Sequence, residues 1–139
     1  MTESPQRPYR IVVGFDGSEG SRLALAWGAD EARWRQAQLE VVRAWSPGEF
    51  GTDEEQGQLA QKGLDEDIQA FFAESKPANL VTHAEQGHAG KVLINHGQAA
   101  DMLVLGSRGL GGFTGLLLGS VGHQVSTHEG APVVVIVRG

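Results

Sequence analysis

The residues best suited to chemistry lie in one glycine-rich run, Gly106-Ser107-Arg108-Gly109-Leu110-Gly111-Gly112-Phe113-Thr114-Gly115-Leu116-Leu117-Leu118-Gly119-Ser120. Glycine tolerates positive φ and lets a backbone approach a ligand closely. Successive backbone N–H groups in such a run form a concave nest for an anion. Ser120 can cap a following helix, whose free N–H groups and dipole favour a phosphate. Arg108 is the only cation in the run and can pair with a phosphate oxygen. A second candidate is Asp16, in Gly14-Phe15-Asp16-Gly17-Ser18. Its carboxylate can accept from a ribose hydroxyl, or it can cap a helix together with Ser18.

Other chemistries are excluded by spacing. No G-x-x-x-x-G-K-[ST] occurs, so this is not a P-loop nucleotidase, and no G-x-G-x-x-G follows the first strand. A phospho-receiver site needs paired acids after strand one and a lysine near strand five, and neither is present. The five histidines make no metal pattern: His123 and His128 would fall on different sides of a helix, His83 lies within a strand, and His96 shares a stripe with Val92 as a partly buried core edge. There is no cysteine, hence no disulfide or thiolate site, which fits a reducing compartment. The net charge of −6 opposes nucleic-acid binding. No apolar run is long enough for a membrane span, so a cytoplasmic location is expected. No cluster of carboxylates offers a metal site of its own.

These residues need a scaffold to position them, and the chain has the pattern for one. Its 139 residues suit one hydrophobic core. Residues 1–8 read as a loose polar tail, and 9–139 as one domain. Strands are expected at 10–15, 38–45, 79–85, 102–105 and 133–137, each apolar or nearly so. Helices are expected at about 19–34, 53–75, 89–97 and 120–128. In the first helix, Leu23, Trp27 and Trp34 fall near one face, with Asp30 on the same stripe. In the second, Ala60, Leu64, Ile68, Phe71 and Phe72 give a core face, Asp53, Glu54 and Glu55 form a solvated first turn, and Gly57 and Gly63 weaken the first half. In the third, Val92 and Leu93 point inward. Alternating apolar strands and helices mean an α/β fold with a parallel sheet covered on both faces. Ligands in such sheets sit beyond the carboxyl ends of the strands where the winding reverses. The strand ends at Gly14–Ser18 and at Gly106 are the two candidates.

The spacing Gly106-x₂-Gly109-x₉-Gly119-Ser120 resembles the ATP-binding signature of the universal stress protein family. The likeness runs from Ile11 to Val137 and takes in Asp16, Gly87, Ala100-Asp101, Gly119-Ser120-Val121 and Pro132-Val133. It implies a doubly wound five-stranded parallel sheet in order 3-2-1-4-5, which puts strands one and four side by side. It also implies ATP as ligand, with Mg²⁺ carried by the phosphates. AMP or a cyclic adenine nucleotide would use many of the same contacts. By position, Asp16 would contact adenine or ribose, and backbone near Ala44 would read the adenine edge. Gly14 and Gly106 would line the ribose. Gly106, Gly109, Gly119, Ser120 and Val121 would hold the phosphates. With Arg108, and with Phe15 and Leu105 beside these glycines, they make up the candidate site. This chain departs from the family pattern at His88-Ala89, which replace the proline often found after the Gly87 position. The resemblance further implies a regulatory, stress-response role with at most slow ATP hydrolysis, and a homodimer through residues 133–137, an edge strand of β-branched residues. A weak ATPase, an autophosphorylating enzyme or an interaction protein are the competing functions.

Overall fold

The structure is a computed structural model and describes residues 7–107 and 132–138. Its elements are β1 (Arg10–Gly14), α1 (Glu19–Arg35), β2 (Gln38–Trp45), α2 (Asp53–Phe72), β3 (Leu80–Gln86), α3 (Ala89–Gln98), β4 (Met102–Gly106) and β5 (Val133–Val137). The strands form one sheet in the order β3-β2-β1-β4-β5. All four pairings are parallel. The helix expected over 120–128 lies outside the described residues.

The central strands β1 and β4 are buried on both faces, which is why they carry no polar alternation. On one face Ile11, Val13, Leu39, Val41, Met102 and Val104 pack against α1 and α2. On the other, Val12, Val42, Leu103 and Leu105 meet Val92 and Leu93 of α3. The sheet's lower edge is tied by Asp101. Its backbone N–H donates to the Arg10 carbonyl, its carbonyl accepts from Val133 N, and its carboxylate accepts from Arg10 N. Arg7 forks onto the same carboxylate at 2.9 and 3.0 Å. Burial pushes the Asp101 carboxyl up, but the bonds from Arg7 and Arg10 and their charges outweigh it and hold it below its usual value.

Helix α1 starts at Ser18, whose hydroxyl accepts from Ser21 N, and stops at Gln36 in the left-handed region. Its packing face differs from the sequence expectation. The residues against the sheet are Ser21, Ala24, Leu25, Gly28, Ala29 and Ala32. Trp34 is 84% exposed, Leu23 is exposed, and Trp27 reaches the core only from the flank. The reason is distance. A Cβ added to Gly28 would stand 2.7 Å from Val13 Cγ2, so at this point the helix lies too close to β1 for any side chain. Leu23 and Trp34 are left exposed, as is Asp30, and Leu25 is the one large side chain that α1 buries fully.

Helix α2 begins with Thr52 accepting from Glu55 N and buries Leu64, Ile68 and Phe72. It ends at Phe72, three residues before the expected Ser75. Ala73 takes a positive φ of 51°, and Ser75 folds back to donate its N–H to the Phe72 carbonyl. Gly57 is not merely a weak point: a Cβ there would lie 3.2 Å from Trp45 Cζ2, so its absence makes room for the tryptophan.

Candidate functional site

Strands β1 and β4 are neighbours, in the register Ile11↔Met102, Val12↔Leu103 and Val13↔Val104. Their carboxyl ends therefore emerge side by side, and the two sequence candidates arrive at one place. After Gly14, Phe15 donates its N–H to the Val42 carbonyl and buries its ring in the core. The chain then turns outward through Asp16 and Gly17, the latter at φ 86°. Asp16 is exposed. Its Oδ1 accepts from Ser18 N at 2.9 Å, and its own N–H donates to Ser21 Oγ at 3.3 Å. The carboxylate is thus oriented by the first turn of α1. Capping and display at the strand end, weighed as alternatives from the sequence, are compatible in this geometry.

Gly106 closes β4. A Cβ at this position would fall 2.5 Å from the carbonyl carbon and oxygen of Gly20 and 3.0 Å from its Cα. The end of β4 and the start of α1 touch backbone to backbone, so only glycine fits. Leu105, just before it, is fully buried and faces α3. Ala44 lies near the end of β2, paired across the sheet with Glu85 of β3. Beyond β3, Gly87 takes φ 145° and donates its N–H to the Trp45 carbonyl. The structure thus gathers Gly14, Asp16, Ala44 and Gly106 along the carboxyl rim of the sheet. It places Phe15 and Leu105 beneath them as core side chains. Arg108, Gly109, Gly119, Ser120 and Val121 lie outside the described residues.

Two charged groups on β2 have no counterpart in the sequence expectations, Arg43 toward the rim and Glu40 toward the amino end of the strand. Arg43, on β2, donates from Nε to the Phe15 carbonyl at 3.3 Å and pairs with Asp67 of α2 at 2.8 Å. Glu40, on the same strand, is a carboxylate with 2% exposure. It accepts from Arg10 Nη2 at 2.5 Å and His96 Nδ1 at 2.8 Å, and its Oε1 is 3.2 Å from His83 Nε2. His96 reaches Glu85 with its other nitrogen at 2.5 Å. The His96 ring thus joins Glu40 to Glu85. Burial pushes the Glu40 carboxyl up, but the bonds from Arg10 and His96 and the charges of Arg10 and His83 overcome this and hold it below its usual value. A signal was available: Glu40 interrupts the apolar run Leu39–Val42, and a charge inside a central strand needs partners. Among the described residues no group of three or more His, Cys, Asp or Glu side chains is arranged to hold a metal ion. None of their helices is long and apolar enough to cross a membrane.

The comparisons with known proteins agree with this fold. Universal stress protein Rv2623 of Mycobacterium tuberculosis (strain ATCC 25618 / H37Rv) is 35% identical over 141 residues, which take in 97% of this chain and 46% of that protein. Universal stress protein Rv2624c of the same strain is 33% identical over 128 residues, 91% of this chain and 47% of that protein. The chain thus spans about half the length of these curated relatives. Among solved structures, a universal stress protein in complex with cAMP superposes with a TM-score of 0.63 at 24% identity, covering 94% of this chain and 97% of the other. The universal stress protein from Archaeoglobus fulgidus in complex with dAMP gives 0.59 at 22% identity, covering 92% and 96%. At these identities the likeness shows the fold. The family model for universal stress proteins matches residues 9–137, nearly the whole chain, and so the chain belongs to the universal stress protein family.

Proposed function

We propose that this protein is a regulatory adenine-nucleotide binder of the stress-response type, with ATP as its ligand. The observation that carries the reading is the convergence of the glycine spacing that starts at Gly106 with the carboxyl ends of β1 and β4, which lie side by side. The family members solved with cAMP and with dAMP support the adenine nucleotide class.

On this reading Asp16 meets ribose or adenine and backbone near Ala44 meets the adenine edge. Gly14 and Gly106 keep the floor under the ribose free of side chains. Gly109, Gly119, Ser120 and Val121 hold the phosphates through backbone N–H groups, with Arg108 as the pairing cation. The described residues fit such a ligand: the carboxylate of Asp16 is oriented and exposed, and the rim around it is lined by glycine. Mg²⁺ would arrive on the phosphates and supply charge neutralisation there. Self-association through β5, at the edge of the sheet, and a cytoplasmic location belong to the same reading.

The test is calorimetric titration with ATP and magnesium, with release of co-purified small molecules by denaturation as a parallel check. A dissociation constant of about 1–100 μM is expected, or roughly −8 to −5.5 kcal/mol. No heat, and no competition by any adenine nucleotide at ~1 mM, would sink the reading.

A further inference from the structure

We infer that Arg43 is a positioning residue for the nucleotide site: it clamps the turn that presents Asp16 and ties that turn to α2. This rests on the nucleotide reading above.

Several constraints meet on one guanidinium. Arg43 leaves β2 on the face covered by α1 and α2, and its side chain is 19% exposed. Strand β1 ends at Gly14, so the Phe15 carbonyl lies just past the strand; Arg43 Nε donates to it at 3.3 Å. The guanidinium carbon sits 5.3 Å from the centroid of the Phe15 ring. Nη2 bonds Asp67 Oδ2 at 2.8 Å. The same Nη2 is the nearest atom to the place where a Cβ on Gly17 would stand, 3.7 Å away. Arg43 thus bonds the residue before Asp16 and lies on the side of the residue after it where a side chain would project. Asp16 itself is held on its other side by Ser18 and Ser21.

Such an arrangement needs arginine. A planar fork can donate from Nε to one acceptor and from Nη2 to another while its face lies over a ring. Lysine has one ammonium and cannot serve the carbonyl, the carboxylate and the ring in one fixed geometry. Because Asp67 is the anchor, α2 enters the position of Asp16 through a chain of only two side chains. By thermodynamic reciprocity, nucleotide that bears on the Asp16 turn also bears on the Arg43–Asp67 contact.

The test uses the full chain with Arg43→Gln, Arg43→Lys, Asp67→Asn and the Arg43→Gln/Asp67→Asn double variant. Each is titrated with adenosine, AMP and ATP with magnesium, and the amide resonances of Asp16, Gly17 and Ser18 are recorded without ligand. Arg43→Gln should weaken all three ligands by the same factor, about 5–20-fold, because the turn serves the nucleoside end. Arg43→Lys should recover little of this. Asp67→Asn should give a smaller loss that adds nothing to Arg43→Gln, since both act through one strut. The three amides should shift in every Arg43 variant.

Wild-type affinity in Arg43→Gln overturns the inference. So does a loss that grows with the number of phosphates, which would make Arg43 a direct phosphate contact. A loss that merely follows a lowered Tm, with the turn amides unmoved, also overturns it. If the wild-type protein binds none of the three ligands, the nucleotide reading fails, and the role of Arg43 in nucleotide binding fails with it. The amide shifts of the ligand-free protein then still decide whether Arg43 holds the turn.

Discussion

Replacing Glu40 by glutamine should cost this fold a large part of its stability, and the structure allows the size to be worked out. The carboxylate is 2% exposed and accepts from Arg10 and His96 with both oxygens used. Glutamine keeps one acceptor and turns an NH₂ group toward either Arg10 or His96, donor against donor. Breaking a buried ion pair costs about 3–5 kcal/mol when the remaining charge is stranded. Here the remaining charges are only half stranded. Arg10 keeps the Ala99 carbonyl at 3.0 Å and has solvent access, and His96 keeps Glu85. The cost therefore falls at or just below the bottom of that range, about 2–3 kcal/mol, or roughly 7–10 °C in Tm for a domain of this size. The sign of the pH dependence follows from the direction of the shift. The Glu40 carboxyl is held below its usual value of 4.5 in the fold. Its contribution is therefore present above the unfolded value and lost as pH falls through the folded one. Urea unfolding followed by far-UV CD should show the full gap between wild type and Glu40→Gln near pH 7, narrowing on acidification below about pH 4. A variant within ~0.5 kcal/mol of wild type at pH 7, or a gap unchanged down to about pH 3, would refute the reasoning.

The remaining predictions bear on packing, assembly and turnover. Gly106→Ala should destabilise the protein by about 1–3 kcal/mol and weaken nucleotide binding, because its Cβ meets the rigid backbone of Gly20 at 2.5 Å; unchanged urea midpoint and affinity would show that α1 gives way freely. Trp34→Ser should change stability by less than ~0.5 kcal/mol, whereas Gly28→Val should cost over ~1 kcal/mol, and the reverse order in thermal melts would restore the tryptophan face as the packing face of α1. Light scattering at micromolar concentration should give about twice 14.8 kDa, with Val135→Pro shifting the population toward monomer; a monomeric wild type would remove the β5 interface. Hydrolysis of ATP should run far below ~1 s⁻¹, and robust turnover abolished by Asp16→Ala or Ser120→Ala would make the protein an enzyme.

Much of this protein is legible in its sequence because the signals are local. Unbroken apolar runs such as Met102–Leu105 and Val133–Val137 mark strands with apolar side chains on both faces. Element boundaries followed from nearby chemistry: Ser18 and Thr52 cap their helices where hydroxyls precede the helical pattern. What tertiary structure decided is what depends on distance between segments far apart in the chain. The face that α1 turns to the sheet is set by how close Gly28 comes to Val13, and helical periodicity carries no measure of that closeness; large apolar side chains signal burial in a sequence, whereas close approach selects small ones. Gly106 reads from sequence as a ligand-facing glycine, yet its missing Cβ is first required by Gly20, some eighty residues earlier. The same holds for charge. Glu40 stands out as a charge in an apolar run, but nothing in the sequence names its partners, since His83, Glu85 and His96 are individually unremarkable and Arg43 is one more basic residue on a strand. Only the parallel register of β1, β2 and β3, with α3 laid across one face and α2 across the other, sets Glu40 between Arg10 and His96 and Arg43 between the Asp16 turn and Asp67.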